Sequence, residues 1–205
     1  MPSGVESIPP VSRSERASTT RKALIDTATR LFSLQGYSNT GTEEIVAAAG
    51  VGTRGALYHH FADKEALFAE VFKVLQADLF RDIFIRVGPT ISRPLDGILN
   101  TSLAFLDCII EREDARAVLR DGPVALGWDQ FRLLESHFAL GTIKNFLDAA
   151  MQKGLMAQTE TEPLASLVLA LMNEAAVYVS TASDPLVAKS QMGVALSSLI
   201  NGLRL

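Results

Sequence analysis

Residues 41–64, GTEEIVAAAGVGTRGALYHHFADK, carry the strongest local signal in the chain. Ile45, Val46 and Ala49 have the spacing of one apolar stripe on a short helix. Gly50 follows directly after this stripe, where a left-handed residue commonly ends a helix. The segment therefore predicts a short helix, a tight glycine-containing turn and a second short helix.

The second helix is predicted from residue 54 to about residue 61. Thr53 can cap its start, and Leu57 and Phe61, four residues apart, are expected to face inward. Two short helices joined by a glycine turn form a helix–turn–helix, whose second helix can lie in the DNA major groove. The side chains left to face outward are small or polar: Arg54, Gly55, Ala56, Tyr58 and His59.

These outward residues have the chemistry of a DNA contact. An arginine such as Arg54 can form two hydrogen bonds to a guanine, and the N–H groups at a helix start beside Thr53 can hold a phosphate. Tyr58 and His59 can bind phosphate oxygens. The predicted DNA-binding residues are Thr42, Thr53, Arg54, Gly55, Ala56, Tyr58, His59 and Lys64.

This part of the chain resembles the TetR family of transcriptional regulators. The similarity covers roughly residues 16–70, and the turn at Gly52-Thr53 is one residue longer than the commonest family spacing. Which of Gly52, Thr53 and Arg54 occupies each family position therefore stays open. The matching points are Gly36-Tyr37, Glu44-Ile45, Ala49-Gly50-Val51, Gly55-Ala56-Leu57-Tyr58-His59-His60-Phe61, Lys64-Glu65 and Leu67.

The resemblance implies an all-α fold of about nine helices in two domains. We expect a disordered arm over residues 1–15 and a three-helix DNA-binding domain over residues 16–66, with its helix–turn–helix at about 41–61. An effector-binding and dimerisation domain is expected over residues 67–205. The resemblance also implies a regulator, most often a repressor, that a small-molecule effector releases from a double-stranded DNA operator.

The composition agrees with an all-α fold, and the charge is uneven. The chain has 48% hydrophobic residues, eight prolines and a net charge of −4. Residues 13–30 hold five basic residues against two acidic ones, whereas residues 93–205 hold nine basic and thirteen acidic ones. A basic arm on an acidic body suits contact with phosphate at one end, and ordinary scatter explains so small a bias equally well.

Apolar periodicity predicts the other helices. The first spans about residues 19–35, and a long helix runs from Asp63, its cap, to about residue 87. Further helices are expected over 94–112 and 115–120, with a break at Asp121-Gly122-Pro123. After a helix that ends near Lys153, two more are expected over 163–182 and 185–203. The inward side of the first helix is formed by Leu24, Ile25, Ala28, Leu31 and Phe32.

The last two predicted helices are apolar over a wide face, and their few charged residues include Glu174 and Lys189. A monomer of this size cannot easily bury such helices on more than one side. A two-fold interface of four helices solves the problem, so we expect a homodimer formed through these helices. The family resemblance implies the same, and two reading heads predict a pseudo-palindromic operator.

An effector pocket requires an apolar lining with a few polar groups. Asn173-Glu174 stands out, because a carboxylate among Leu and Ala needs a partner. Taken singly, each aromatic candidate is better explained as core and each polar one as solvent-facing, and Asn173-Glu174 fits the dimer interface equally well. The candidates are the aromatic and polar residues Phe105, Asp121, Trp128, Phe131, Phe146, Asn173 and Tyr178.

Two other classes of protein also come into question. An architectural or constitutive DNA-binding dimer would share the first domain but bind no effector. An enzyme is disfavoured because the three histidines are His59, His60 and an isolated His137, without a metal-spaced His/Cys cluster, a nucleophile elbow or a phosphate-binding glycine loop. We therefore expect no catalytic residue, metal site or cofactor.

The sequence also favours a cytoplasmic location. Cys108 is the single cysteine, which excludes an intrachain disulfide. We find no N-terminal signal segment and expect no apolar run long enough to span a bilayer. The prediction is a protein without membrane contact.

Overall fold

The computed structural model describes residues 12–88 and 93–205. These two ranges contain helices and no strand, which confirms the all-α prediction. Because α6 is interrupted at Gly127, its two halves bring the number of helical segments within these two ranges to the expected nine. The helices are α1 (Arg13–Gln35), α2 (Thr42–Ala49), α3 (Arg54–His60), α4 (Lys64–Val87), α5 (Pro94–Glu111), α6 (Glu113–Gln152), α7 (Thr161–Thr181) and α8 (Pro185–Asn201).

Helix α1 begins six residues earlier than predicted. The Ser12 hydroxyl accepts a hydrogen bond from the Glu15 N–H (3.1 Å), and the Glu15 carboxylate accepts one from the Ser12 N–H (2.7 Å). This capping box satisfies two N–H groups that would otherwise lack partners at the helix start. Residues 13–15 are therefore helical, contrary to the predicted arm, and the rest of that arm, residues 1–11, lies outside the described residues.

The first core lies between α1, α2, α3 and the first half of α4. All five predicted inward residues of α1 are buried. Ile45 and Val46 of α2 and Leu57 of α3 join them, so both short helices rest on an apolar frame. Its largest fully buried side chains are Phe32, Phe68 and Phe72.

Helix α4 begins in the first core and ends in the second. Its 24 residues correspond to a rod of about 35 Å. The Asp63 carboxylate caps its start by accepting a hydrogen bond from the Ala66 N–H (2.7 Å). The apolar residues that repeat with the helical period are buried except for Phe84, which is 48% exposed; the buried ones are Leu67, Phe68, Val71, Phe72, Leu75, Leu79 and Ile83.

Helix α6 does not break at residues 121–123, contrary to the prediction. The helix continues through Pro123, and its backbone leaves helical geometry only at Gly127 (φ 72°, ψ 157°). A positive φ suits glycine, which has no side chain to clash. At Gly122 an added Cβ would lie 2.4 Å from the Phe131 ring, so this glycine permits the close packing of Phe131.

The second core is formed by α5, α7 and α8 with the later halves of α4 and α6. The part of α6 on either side of Gly127 packs on the first core, through Val118, Ala125, Leu126 and Phe131. Both long helices thus take part in both cores.

Helix α7 differs from the expectation that the chain contains no apolar run long enough to span a bilayer. With 21 residues and a mean hydropathy of 1.5, it is long and apolar enough, by length and composition, to cross a membrane. Such a sequence is equally typical of a core helix, and α7 packs against α5, α6 and α8. Only 33% of its 18-residue apolar stretch is buried within the chain, so much of its apolar surface faces outward.

Candidate nucleic-acid interface and effector cavity

The turn between α2 and α3 directs one side of α3 to solvent. Gly50 adopts the left-handed conformation (φ 66°, ψ 23°), and its N–H donates to the Ala47 carbonyl. Thr53 precedes α3 in an extended conformation. Leu57 and Phe61 are buried as predicted, so the opposite side of α3 is left outside the core.

We call this outer side the reading face. Ala56 of α3 and Thr42, the first residue of α2, are half-buried at its edge. Its exposed members are Thr53, Arg54, Gly55, Tyr58 and His59. The structure thus brings seven of the eight predicted DNA-binding residues onto one surface.

Arg54 is held by its neighbours without being buried. One guanidinium nitrogen pairs with the Glu43 carboxylate of α2 at 2.7 Å, and another donates to the Tyr58 hydroxyl at 3.4 Å. Hydrogen bonds with Arg54 and Thr42 lower the pKa of the Tyr58 hydroxyl. Exposed ion pairs contribute little to stability, so Arg54 can exchange Glu43 for another anion at small cost.

Lys64, the eighth predicted residue, lies apart from the reading face. Its ammonium donates to the carbonyl oxygens of Tyr37 (2.9 Å) and Thr40 (3.1 Å), and it lies 4.1 Å from the centre of the Tyr37 ring. Burial lowers its pKa. Two of its three N–H donors therefore hold the connection between α1 and α2.

Asp121, predicted in the effector pocket, lies instead at this same connection. Its carboxylate accepts a hydrogen bond from the Tyr37 N–H at 2.7 Å. An added Cβ on Gly36 would come within 3.3 Å of the same oxygen, so the close approach fits a glycine at that position. Asp121 thus joins α6 to the α1–α2 connection, and its placement in the pocket was wrong.

A small cavity of about 40 Å³ lies between α4, α5, α6 and α7, and we call it the inner cavity. Phe105, Phe146 and Asn173 of the predicted pocket line it. Residues that the sequence reasoning did not include also do so, among them Gln76, Phe80, Glu135 and Met172.

The outer cleft is a second, larger space of about 980 Å³ between α6 and α7. Trp128 and Phe131 line it and do not reach the inner cavity. Tyr178 lines neither space, because it is exposed and its hydroxyl lies 3.4 Å from the Gln191 side chain on α8. With Asp121 at the α1–α2 connection, the predicted pocket residues therefore separate into four places.

Glu135 is the functional candidate that the sequence reasoning missed. It is 7% exposed, and Asn173 donates a hydrogen bond to its carboxylate at 3.0 Å. Burial raises the pKa of Glu135 to about 7. The available signal was its position four residues after Phe131 and eight before Ile143, on the buried side of α6. Glu174, the carboxylate that had stood out, is exposed.

Two family models match this chain, one in each part of it. Residues 24–71 match "Bacterial regulatory proteins, tetR family", and residues 95–203 match "Tetracyclin repressor-like, C-terminal domain". The chain belongs to the TetR family. Members of this TetR family are DNA-binding transcriptional regulators, so the chain is a regulator and not an enzyme.

Individual TetR-family proteins show how far the similarity extends. The HTH-type transcriptional regulator AcrR of Shigella flexneri is 48% identical over 65 residues, which cover 32% of this chain and less than a third (30%) of that relative. A crystal structure of a TetR-family regulator from Pectobacterium atrosepticum has 30% identity and a TM-score of 0.76, and covers 95% of this chain and 98% of that one.

A third comparison shares the fold alone. RolR, solved in complex with resorcinol, has a TM-score of 0.71 at 16% identity and covers 91% of this chain and 90% of its own. The similarity therefore spans both domains, whereas the identity to AcrR is confined to about a third of the chain.

Proposed function

We propose that this TetR-family protein is a cytoplasmic, homodimeric repressor that a small-molecule effector releases from a pseudo-palindromic operator. The observation that carries the proposal is that α4 joins the frame of the reading face to the wall of the inner cavity. The proposed domains are those expected from the sequence, residues 16–66 for DNA and 67–205 for effector and dimer.

The reading face supplies the proposed DNA contacts. Arg54 is exposed and can form a bidentate contact with a guanine. Thr53, Tyr58 and His59 are exposed beside it and suit contacts with phosphate oxygens. The small residues Gly55 and Ala56 let the backbone of α3 approach the groove.

The inner cavity supports the effector part of the proposal. Gln76, Leu79, Phe80 and Ile83 of α4 form one of its walls. Because these residues share a helix with Phe68 and Phe72, a ligand that displaces them would also shift the frame below the reading face. A relative by fold, RolR, has been solved with the small molecule resorcinol.

The outer surfaces of α7 and α8 support a dimer. These helices bury one side each within the chain and leave large apolar side chains exposed on the other. A second copy of the chain would cover this surface and form the predicted four-helix interface. The exposed apolar residues are Leu167, Leu171, Val177, Tyr178, Leu186, Val187, Val194 and Leu199.

The proposal is tested by fluorescence anisotropy with DNA from immediately upstream of the gene and with scrambled DNA, each at two salt concentrations. We expect two chains per duplex and tighter binding to the upstream DNA at the higher salt. Equal, salt-abolished binding to both DNAs contradicts a specific repressor at this site and favours the architectural protein.

Arg54→Ala and Arg81→Ala provide a matched pair for this experiment. Both arginines are exposed and paired with an acid, Arg54 with Glu43 at 2.7 Å and Arg81 with Asp78 at 2.8 Å. Arg81 lies 17 residues into α4, about 25 Å from its start. Arg54→Ala should relax the preference at one base position, by about 1–3 kcal/mol, while Arg81→Ala should leave it unchanged. If Arg81→Ala changes the base preference and Arg54→Ala does not, the proposal that α3 recognises bases is wrong.

A further inference from the structure

Glu135 is the single ionisable side chain among the described residues that line the inner cavity. The other polar groups there are the uncharged Gln76, Thr101, Thr142 and Asn173. No ion pair to Glu135 occurs within residues 12–88 and 93–205, and its hydrogen bond from Asn173 comes from a neutral amide. The cavity thus contains one acidic group without an opposite charge in contact.

Three phenylalanine rings complete the wall, those of Phe80, Phe105 and Phe146. The faces of aromatic rings attract cations, and the attraction grows when the cation is removed from water. A carboxylate among aromatic rings therefore favours a positively charged group over a neutral or a negative one. We propose that the effector is a small lipophilic amine or ammonium ion, whose charge lies beside Glu135 and whose apolar body lies among these rings.

The position of Glu135 offers a route of entry. Glu135, Asn173 and Leu169 line both the inner cavity and the outer cleft, so they form the partition between the two. A cation that passes from the cleft into the inner cavity meets the Glu135 carboxylate at this partition, while its apolar part continues inward. The cavity of about 40 Å³ must widen to admit it. Met172 lies in the wall, and methionine adapts readily to such a change.

The charged surroundings of Glu135 determine the effect of pH on binding. Arg132, one turn earlier on α6, attracts the carboxylate. Helices α4, α5 and α7 present only uncharged side chains to the inner cavity. The charged groups of the outer cleft are Arg116, Arg120, Asp129, Arg132 and Glu174. With a pKa of about 7, Glu135 becomes ionised between pH 6 and pH 8.

The test uses three probes with one phenylethyl body: 2-phenylethylamine, 2-phenylethanol and 3-phenylpropionate. Binding to the full chain is measured by calorimetry without DNA. At pH 8 the amine should bind at least about tenfold more tightly than the alcohol, and the acid most weakly. From pH 6 to pH 8 the affinity for the amine should rise, while that for the alcohol should not.

Glu135→Gln and Glu174→Gln are the matched variants. Glu135→Gln should reduce the affinity for the amine to that for the alcohol, whereas Glu174→Gln, at an exposed carboxylate of the outer cleft, should not. A preference for the amine that survives Glu135→Gln, or disappears in Glu174→Gln, overturns the inference. Failure of all three probes to bind overturns it as well.

This inference rests on the proposed effector response, and the two can fail separately. Specific binding to the upstream DNA without a preference for the amine contradicts only the effector chemistry. Amine binding at Glu135 without specific DNA binding contradicts the repressor instead.

Discussion

The reading face and the inner cavity both place a few polar groups on an apolar frame, but they differ in where the charges lie. Arg54 lies in water, with Glu43 and Tyr58 as its partners. Glu135 lies in the protein interior and receives a hydrogen bond from a neutral amide. An exposed charge remains hydrated, whereas a buried charge loses hydration and needs compensation.

This difference indicates how each region responds to a ligand. The exposed guanidinium can exchange one anion for another with little change in free energy. The buried carboxylate is costly to ionise, so a cation beside it changes both its protonation and the stability of the fold. The first region suits reversible contact with DNA, and the second suits detection of a small molecule.

The comparison of the reading face with the inner cavity assumes an apolar frame below the reading face. This frame should be more tightly packed than the solvent-facing side of α4. Phe68 and Phe84 test this on one helix, because Phe68 is fully buried and Phe84 is 48% exposed. Phe68→Ala should lower the free energy of unfolding by about 3–5 kcal/mol, and Phe84→Ala by less than about 1 kcal/mol. Urea unfolding measures both, and equal losses would contradict the packing described for α4.

The pH dependence of the stability of Glu135→Gln tests the buried side of this comparison. The pKa of Glu135 is about 7 in the folded protein and 4.5 as an ordinary glutamate. Below pH 4.5 the carboxyl is protonated in both states, so burial has no effect on stability through ionisation. As pH rises to 7 the unfolded chain loses its proton first, and the folded protein is progressively destabilised.

We therefore expect the stability of Glu135→Gln relative to the natural protein to increase by about 2–3 kcal/mol between pH 5 and pH 8. Urea unfolding at the two pH values measures this change. Glu174→Gln is the control, since an exposed carboxylate should show no comparable pH dependence. A pH-independent difference for Glu135→Gln would mean that the carboxylate is ionised throughout.

The sequence predicts the helices and the reading face well because both depend on local order. The stripe from Leu24 to Phe32 and the outward residues of α3 follow from helical spacing alone. Asp121 was misplaced and Glu135 was missed because their surroundings are set by tertiary packing. Asp121 meets Tyr37, 84 positions away, and Glu135 meets Asn173, 38 positions away.

The interruption of α6 shows the same limit of prediction from local sequence. A proline removes a helical hydrogen bond, so Pro123 predicted a break. The chain instead leaves helical geometry at Gly127, and the packing of Phe131 against Gly122 accompanies a continuous helix through Pro123. A local rule identifies where a helix can break, and the contacts with the first core decide where it does.

Lys64 gives the smallest and most discriminating test, because it is a half-buried charge in the DNA-binding region. Lys64→Met keeps the apolar stem but removes the bonds to the Tyr37 and Thr40 carbonyls. It should lower the free energy of unfolding by about 1–2 kcal/mol and weaken binding to all DNA sequences alike. Lys73→Met, at a lysine paired with Glu70 on the surface of α4, should change stability by less than about 0.5 kcal/mol. Unchanged stability in Lys64→Met would mean that the two hydrogen bonds to backbone carbonyls do not stabilise the fold. DNA contact would then be the remaining role of Lys64.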